Sequence, residues 1–195
     1  MSKPTVAFIC GSIREESFNR RIGKAIASMV GDRLDIEEVA IADLPLYNPD
    51  IDTDDARPDA WTTYRDAVRD KDAILFASPE WNRSMTGALK NAVDVGSRPK
   101  GKGVLQKKPC AVFSATPGST GALGGNLAML PCIKTLDMPD MGQPEAYYGG
   151  VNGDKIDLDG TINDDGLRKE VERFAKAFAS HIEQMVRSGS EHTSG

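Results

Sequence analysis

Residues 5–10 read Thr-Val-Ala-Phe-Ile-Cys, and residues 11–19 read Gly-Ser-Ile-Arg-Glu-Glu-Ser-Phe-Asn. The first six are almost wholly apolar, the composition of a strand covered on both faces. The next nine are mostly polar and open with glycine. Behind them Ile22, Ala25, Ile26, Met29 and Val30 recur at steps of three and one, which puts them on one face of a helix. A buried strand, a polar turn and an amphipathic helix make the first half of a βαβ unit, and a strand with no polar face calls for helices on both sides of a parallel sheet.

The rest of the chain repeats this alternation. A weaker strand is expected over about residues 34–40. Residues 43–57, with Pro45, Pro49 and five aspartates, read as a loop ahead of a helix over about 59–70 that starts behind Pro58. Ala73–Ala77 is a short apolar run of the kind found in a central strand, and residues 86–95 read as the next helix. A basic connection over 97–108 leads to a fourth strand, Cys110–Ala115. The glycine-rich turn 116–125 opens a helix that Pro131 should kink, since proline removes a backbone donor and crowds the preceding turn. Residues 145–148 suggest a short fifth strand. Leu167, Val171, Phe174, Phe178, Ile182 and Met185 mark a long closing helix, with a disordered tail expected from Ser188. The expectation is one α/β domain over residues 1–187: a three-layer sandwich around five parallel strands in the flavodoxin-like order 2-1-3-4-5, the simplest right-handed winding.

Composition narrows the function. A chain of 195 residues, 39% hydrophobic, fits one globular domain. Its 24 Lys and Arg against 29 Asp and Glu leave a net charge of -5, which repels nucleic acid and anionic membranes, so neither is expected as a partner. The apolar stretch ending at Cys10 is too short for a membrane span and lacks a signal-peptide pattern. Cys10, Cys110 and Cys132 are odd in number and lack C-x-x-C spacing, which argues against a disulfide framework or a zinc site. A cytoplasmic location is therefore expected, and the acceptor sequence Asn82-Arg83-Ser84 carries no glycosylation reading there. Neither G-x-x-x-x-G-K-[ST] nor G-x-G-x-x-G follows the first strand. Asp50, Asp52 and Asp54 resemble the start of a calcium loop, but Asp55 and Trp61 stand where glycine and glutamate are required, so the run reads as solvated surface. His181 and His192 fall in the closing helix and the tail, away from any Ser–His or Cys–His pair at the strand ends.

In a wound sheet ligands gather beyond the C-terminal ends of the strands, where the winding reverses. Three unusual loops converge on that rim. In the first, Gly11 permits close backbone approach, Ser12, Ser17 and Asn19 supply short polar groups around Phe18, and Arg14 adds a planar charged fork. A helix start favours a nearby anion by about 0.3–1 kcal/mol, and a phosphate suits this loop. The same residues also fit a simpler reading, in which Ser17 caps the helix and Asn19 and Arg20 are solvated. In the second loop, Ser78-Pro79-Glu80-Trp81-Asn82-Arg83-Ser84, Pro79 stiffens the backbone, Trp81 offers an aromatic wall and Asn82 a donor and an acceptor, which suits a flat heteroaromatic ring. The third, Thr116-Pro117-Gly118-Ser119-Thr120-Gly121, offers bare backbone N–H groups. Each of the last two also reads as an ordinary strand-to-helix turn. A phosphate cradle without a general base suggests a cofactor that carries its own reactivity.

At these residues the chain resembles the NADPH-dependent FMN reductase family, and particularly its chromate and quinone reductase branch, over about residues 6–148. The family pattern G-S-x-R-x-x-S-x-N is met by Gly11, Ser12, Arg14, Ser17 and Asn19, which the resemblance assigns to the FMN phosphate. A second pattern, similar to P-E-Y-N-x-S-x-x-G-x-L-K-N-A-x-D, is met by Pro79, Glu80, Asn82, Ser84, Gly87, Leu89, Lys90, Asn91, Ala92 and Asp94. Trp81 stands where the family has tyrosine, so stacking is kept and a phenol hydroxyl is lost. Leu130-Pro131 stands where relatives often carry a basic residue and no proline. The resemblance implies bound FMN, NADPH or NADH as hydride donor in a ping-pong exchange, and no catalytic side chain. It also implies quinones, azo dyes, chromate or free flavin as small-molecule acceptors, and a homodimer or homotetramer. Arg14, Arg83 and Arg98 are candidates to neutralise a 2′-phosphate. A flavodoxin-type electron carrier would hold FMN without oxidising NADPH directly. Such carriers present an acidic rim, whereas these loops hold Arg14, Arg83, Lys90 and Arg98. A third reading keeps the fold as a cofactor-free regulatory domain.

Overall fold

The computed structural model describes the backbone of residues 3–192 and the side chains as far as residue 188. Strand β1, Thr5–Cys10, is followed by helix α1, Phe18–Met29, whose apolar face carries the fully buried Ile22 and Ile26. Strand β2, Asp35–Glu38, is shorter than its sequence suggests because it is an edge strand, paired to β1 alone. Helix α2, Asp59–Arg69, leads to β3, Ala73–Ala77. Residues of β1 and β3 alternate between two cores. Val6, Phe8, Ala73 and Leu75 face the layer of α1 and the closing helix, while Ala7, Ile9, Ile74 and Phe76 face the opposite layer. An apolar run with no solvent face is the local cause of this three-layer arrangement.

A hairpin that the sequence reading missed follows β3. Strand β4, Glu80–Trp81, pairs antiparallel with β5, Ser84–Met85, across the two-residue turn Asn82-Arg83. Both turn residues have positive φ, 50° and 65°, as a tight hairpin of this hand demands. Asn at the first turn position was the available signal, and Arg in place of the usual glycine at the second obscured it. Helix α3, Gly87–Gly96, is capped by the Thr86 side chain, which accepts from the Leu89 N–H. Strand β6 is Cys110–Ala115.

Pro131 does more than kink the next helix. The chain forms two helices, α4, Leu123–Leu127, and α5, Leu130–Thr135, with the proline in the first turn of the second, where a missing N–H leaves no hydrogen bond unmade. The fifth strand, β7, is only Tyr147–Tyr148, although Cys110 also bridges Asp140 upstream. Helix α6, Asp165–His192, closes the fold. The expected tail from Ser188 falls partly on 193–195, outside the described residues, and the backbone before them belongs to α6. The five parallel strands run β2-β1-β3-β6-β7, the order expected from sequence, with the winding reversing between β1 and β3.

Asp52 departs from the sequence reading, which left it in solvent. Its side chain is 3% exposed and is gripped by both arms of Arg65, each at 2.8 Å, and by Arg57 Nε at 2.7 Å. Those hydrogen bonds hold its carboxyl well below the usual carboxylate range. The pairing ties the loop of residues 43–57 to α2, a tertiary contact that spacing alone does not encode.

Candidate functional site

The three loops reach one edge because β1, β3 and β6 are parallel neighbours that end together. Specific bonds then pin loop to loop. The Gly11 N–H donates to the Ala77 carbonyl at 2.9 Å, and the Thr86 hydroxyl donates to the Gly11 carbonyl at 2.7 Å. A Cβ on Gly11 would stand 2.9 Å from Pro79 Cδ and 3.0 Å from Leu89 Cβ. The glycine is therefore required by the contact between the first and second loops, where the sequence had suggested approach to an anion.

Asn19 joins the first loop to the third. Its Nδ2 donates to the Ala115 carbonyl at 2.8 Å, and its Oδ1 accepts from the Ala115 N–H at 3.0 Å. Ser114 and Thr116 direct their N–H groups to the β7 side, so those of Ala115 face the side that β3 leaves after Ser78. The Asn19 amide takes the place of the departed strand. Ser17 is the N-cap of α1, accepting from the Arg20 N–H at 3.3 Å, and it is buried against Cys10. Burial pushes the Cys10 thiol up. Phe18 is half-buried, with the Arg21 guanidinium over its ring at 4.9 Å.

The second loop is held against α4. Ser78 Oγ donates to the Gly125 carbonyl at 2.6 Å, and Glu80 Oε2 accepts from the Gly124 N–H at 2.7 Å, so this carboxylate caps the helix. Glu80 also faces Arg83 at 3.4 Å. Pro79 is buried, whereas Trp81 is 65% exposed and Asn82 lies at the open hairpin tip. In the third loop the Gly118 N–H donates to Thr116 Oγ1 at 3.2 Å, and Pro117 and Gly118 are exposed.

The predicted residues therefore divide. Gly11, Asn19, Ser78, Pro79 and Glu80 fix the loops to one another, Ser17 caps α1, and Ser12, Arg14, Trp81, Asn82, Pro117 and Gly118 are left along the accessible rim. Arg14 has no ion pair among the described residues, and the N–H groups of Phe18 and Asn19, in the first turn of α1, have no acceptor within the helix. An unneutralised guanidinium in the loop that leads to free helix-start donors fits a phosphate, and an exposed indole on the neighbouring loop fits a flat ring.

Sequence reasoning missed Arg20. Its guanidinium reaches the carbonyls of Ser12 at 3.0 Å, Arg14, and Glu15 at 3.4 Å, while Nε donates to Glu38 at 2.7 Å. The available signal was positional, since a cation in the first turn of a helix opposes the helix dipole and needs a partner of its own.

A doubly wound sheet with three cross-linked loops at its switch point defines an α/β protein of flavodoxin-like fold. The sequence model of the family described as NADPH-dependent FMN reductase matches residues 4–153, and the chain belongs to that family of oxidoreductases. It is 44% identical over 178 residues to a quinone reductase of Pseudomonas putida, covering 91% of this chain and 94% of that one. A 2-hydroxy-1,4-benzoquinone reductase of a Burkholderia species is 34% identical, with coverage of 91% and 95%. Among solved structures, the flavoenzyme NAD(P)H:(acceptor) oxidoreductase FerB of Paracoccus denitrificans superposes with a TM-score of 0.86 at 32% identity, covering 93% of this chain and 98% of that one.

Proposed function

We propose that the rim binds FMN and that the protein uses NADPH or NADH to reduce a small quinone-type acceptor. The observation that carries the reading is the convergence of an unpaired Arg14, free first-turn N–H groups and an exposed Trp81 on one edge of the sheet. Ser12, Arg14 and the backbone of Ser17, Phe18 and Asn19 hold the phosphate. Pro79, Glu80, Trp81 and Asn82 border one side of the ring, and Thr116, Pro117 and Gly118 the other. FMN held by these residues would supply the redox chemistry, as an acceptor of hydride and a donor of electrons.

The chain's own work is to bind and orient. Gly11, Asn19, Ser78 and Glu80 hold the three loops at fixed separation, which removes the entropic cost of assembling the site at each turnover. Glu80 occupies the start of α4 and ties the second loop to the end of the third. No side chain is required as an acid or base for hydride transfer. An open rim admits donor and acceptor in turn, which supports a ping-pong order with quinones as the leading acceptors and azo dyes, chromate and free flavin as others.

The reading extends to a single domain over residues 1–187, a homodimer or homotetramer, and a cytoplasmic setting. Exposed Leu123 and Leu127 on α4, together with Trp81, support association. Three unpaired cysteines support a reducing compartment. Among the described residues no helix is long and apolar enough to cross a membrane.

The test is a purified protein that carries FMN and oxidises NADPH when a quinone is supplied. Binding of FMN without reduction by NADPH or NADH would overturn the donor assignment in favour of an electron carrier, and failure to bind FMN would overturn the whole reading. Within the site, Arg14→Ala combined with Ser17→Ala is expected to weaken FMN far more than riboflavin, and equal losses would refute the phosphate assignment.

A further inference from the structure

We infer that Arg20, locked by Glu38, is the positioning residue that shapes the phosphate loop, an inference that rests on the FMN reading above. Three observations support it. The guanidinium draws in the carbonyls of Ser12, Arg14 and Glu15, three groups of one short loop. A peptide unit whose carbonyl is held toward the guanidinium turns its N–H the other way, so a single side chain sets the direction of the Ile13, Glu15 and Glu16 donors that lead into the start of α1. Nε is meanwhile fixed at 2.7 Å from Glu38 Oε1 at the end of β2, which leaves the other arms little rotational freedom. Finally, a groove separates the loop from the end of β2. It holds about 250 Å³ and is bordered by Cys10, Ser12, Ile13, Arg20, Glu38 and Ile41, so the Arg20–Glu38 pair lies along the gap between loop and strand.

The geometry also states why the residue is arginine. Bonds to three carbonyls and a carboxylate use several donors in a rigid plane, and an ammonium on a flexible stem cannot reach them together. Arg20 is placed behind the loop, with its donors engaged by protein atoms, so it acts on an anion through the backbone it arranges. Arg14 carries the direct charge, and Arg20 determines whether the loop turns N–H groups or carbonyls toward the anion.

The experiment compares dissociation constants for FMN and riboflavin, measured by flavin fluorescence quenching, in the wild type, Arg20→Lys, Arg20→Met and Glu38→Gln. Thermal melting of the flavin-free proteins is recorded alongside. Arg20→Met is expected to weaken FMN roughly 10- to 100-fold, the scale for lost hydrogen bonds to a charged group, and to leave riboflavin within about 2-fold. Arg20→Lys should fail to restore FMN binding, and Glu38→Gln should show a smaller loss of the same FMN-selective kind. A fully functional lysine variant, or equal losses for the two flavins in all three variants, would overturn the positioning role. If Arg20→Met does not fold, the lysine and glutamine variants decide the matter by the same criterion. A wild type that binds riboflavin as tightly as FMN would instead refute the phosphate assignment itself, and the inference would fall with it.

Discussion

Replacing Asn19 with alanine tests how the loops are held together. The residue is 5% exposed, and its side chain makes two bonds to one residue, Ala115, at 2.8 and 3.0 Å. Alanine would leave a buried N–H and a buried carbonyl unpaired at the end of β6. Each such group costs about 1–3 kcal/mol, so a loss of about 2–4 kcal/mol is expected, with solvent penetration favouring the lower part of that range. A domain of this size is stable by about 5–15 kcal/mol and melts about 2–4 °C lower per kcal/mol lost, so the variant should fold and melt roughly 5–15 °C below the wild type. Asn19→Asp keeps an acceptor for the Ala115 N–H but sets a carboxylate against the Ala115 carbonyl, and it should be at least as destabilised. Urea unfolding of flavin-free protein at neutral pH provides the measurement. A change below about 0.5 kcal/mol for Asn19→Ala, or an aspartate variant as stable as the wild type, would refute the view that this amide substitutes for a missing strand.

Two other perturbations follow from the packing. A Cβ at Gly125 would lie 2.6 Å from the Pro79 carbonyl oxygen and 2.9 Å from Glu80 Cα, both backbone, so Gly125→Ala should cost about 1–3 kcal/mol by overpacking despite alanine's higher helix propensity; a variant as stable as the wild type in urea would show that the second loop yields easily. Asp52→Asn should cost about 3 kcal/mol at neutral pH, because Arg65, its side chain 5% exposed, loses its charged partner. The folded carboxyl of Asp52 titrates below its ordinary value of 3.8, so its contribution is complete above that pH and is lost as the pH falls from there through the lower folded value. The gap between wild type and Asp52→Asn should therefore narrow in acid, and a constant gap from pH 7 to pH 3 would contradict the mechanism.

Much of the architecture could be read from residue order, because burial on both faces leaves a signature within a strand. Thr5–Cys10, Ala73–Ala77 and Cys110–Ala115 match the strands of the structure end for end, and each is an apolar run that a central parallel strand requires. The edge strands were less legible. β2 reads Asp-Ile-Glu-Glu, with its pairing supplied by β1, and β7 retains two residues after a proline-bearing approach. The two-residue hairpin escaped because strands of two residues have no measurable period.

The sequence by itself determined the sheet order, the three loops that meet at its edge and the family to which they belong. These depend on local composition and on chain connectivity, which are properties of neighbouring residues. Only the tertiary structure decided what each polar side chain does. Asn19 bonds across 96 positions to Ala115, Glu80 across 44 to the start of α4, and Arg20 back to Glu38 and three carbonyls of its own loop. A side chain expected at a ligand from its chemistry also serves as a brace wherever folding brings an unpaired backbone group within reach, and that proximity exists only once the strands have assembled.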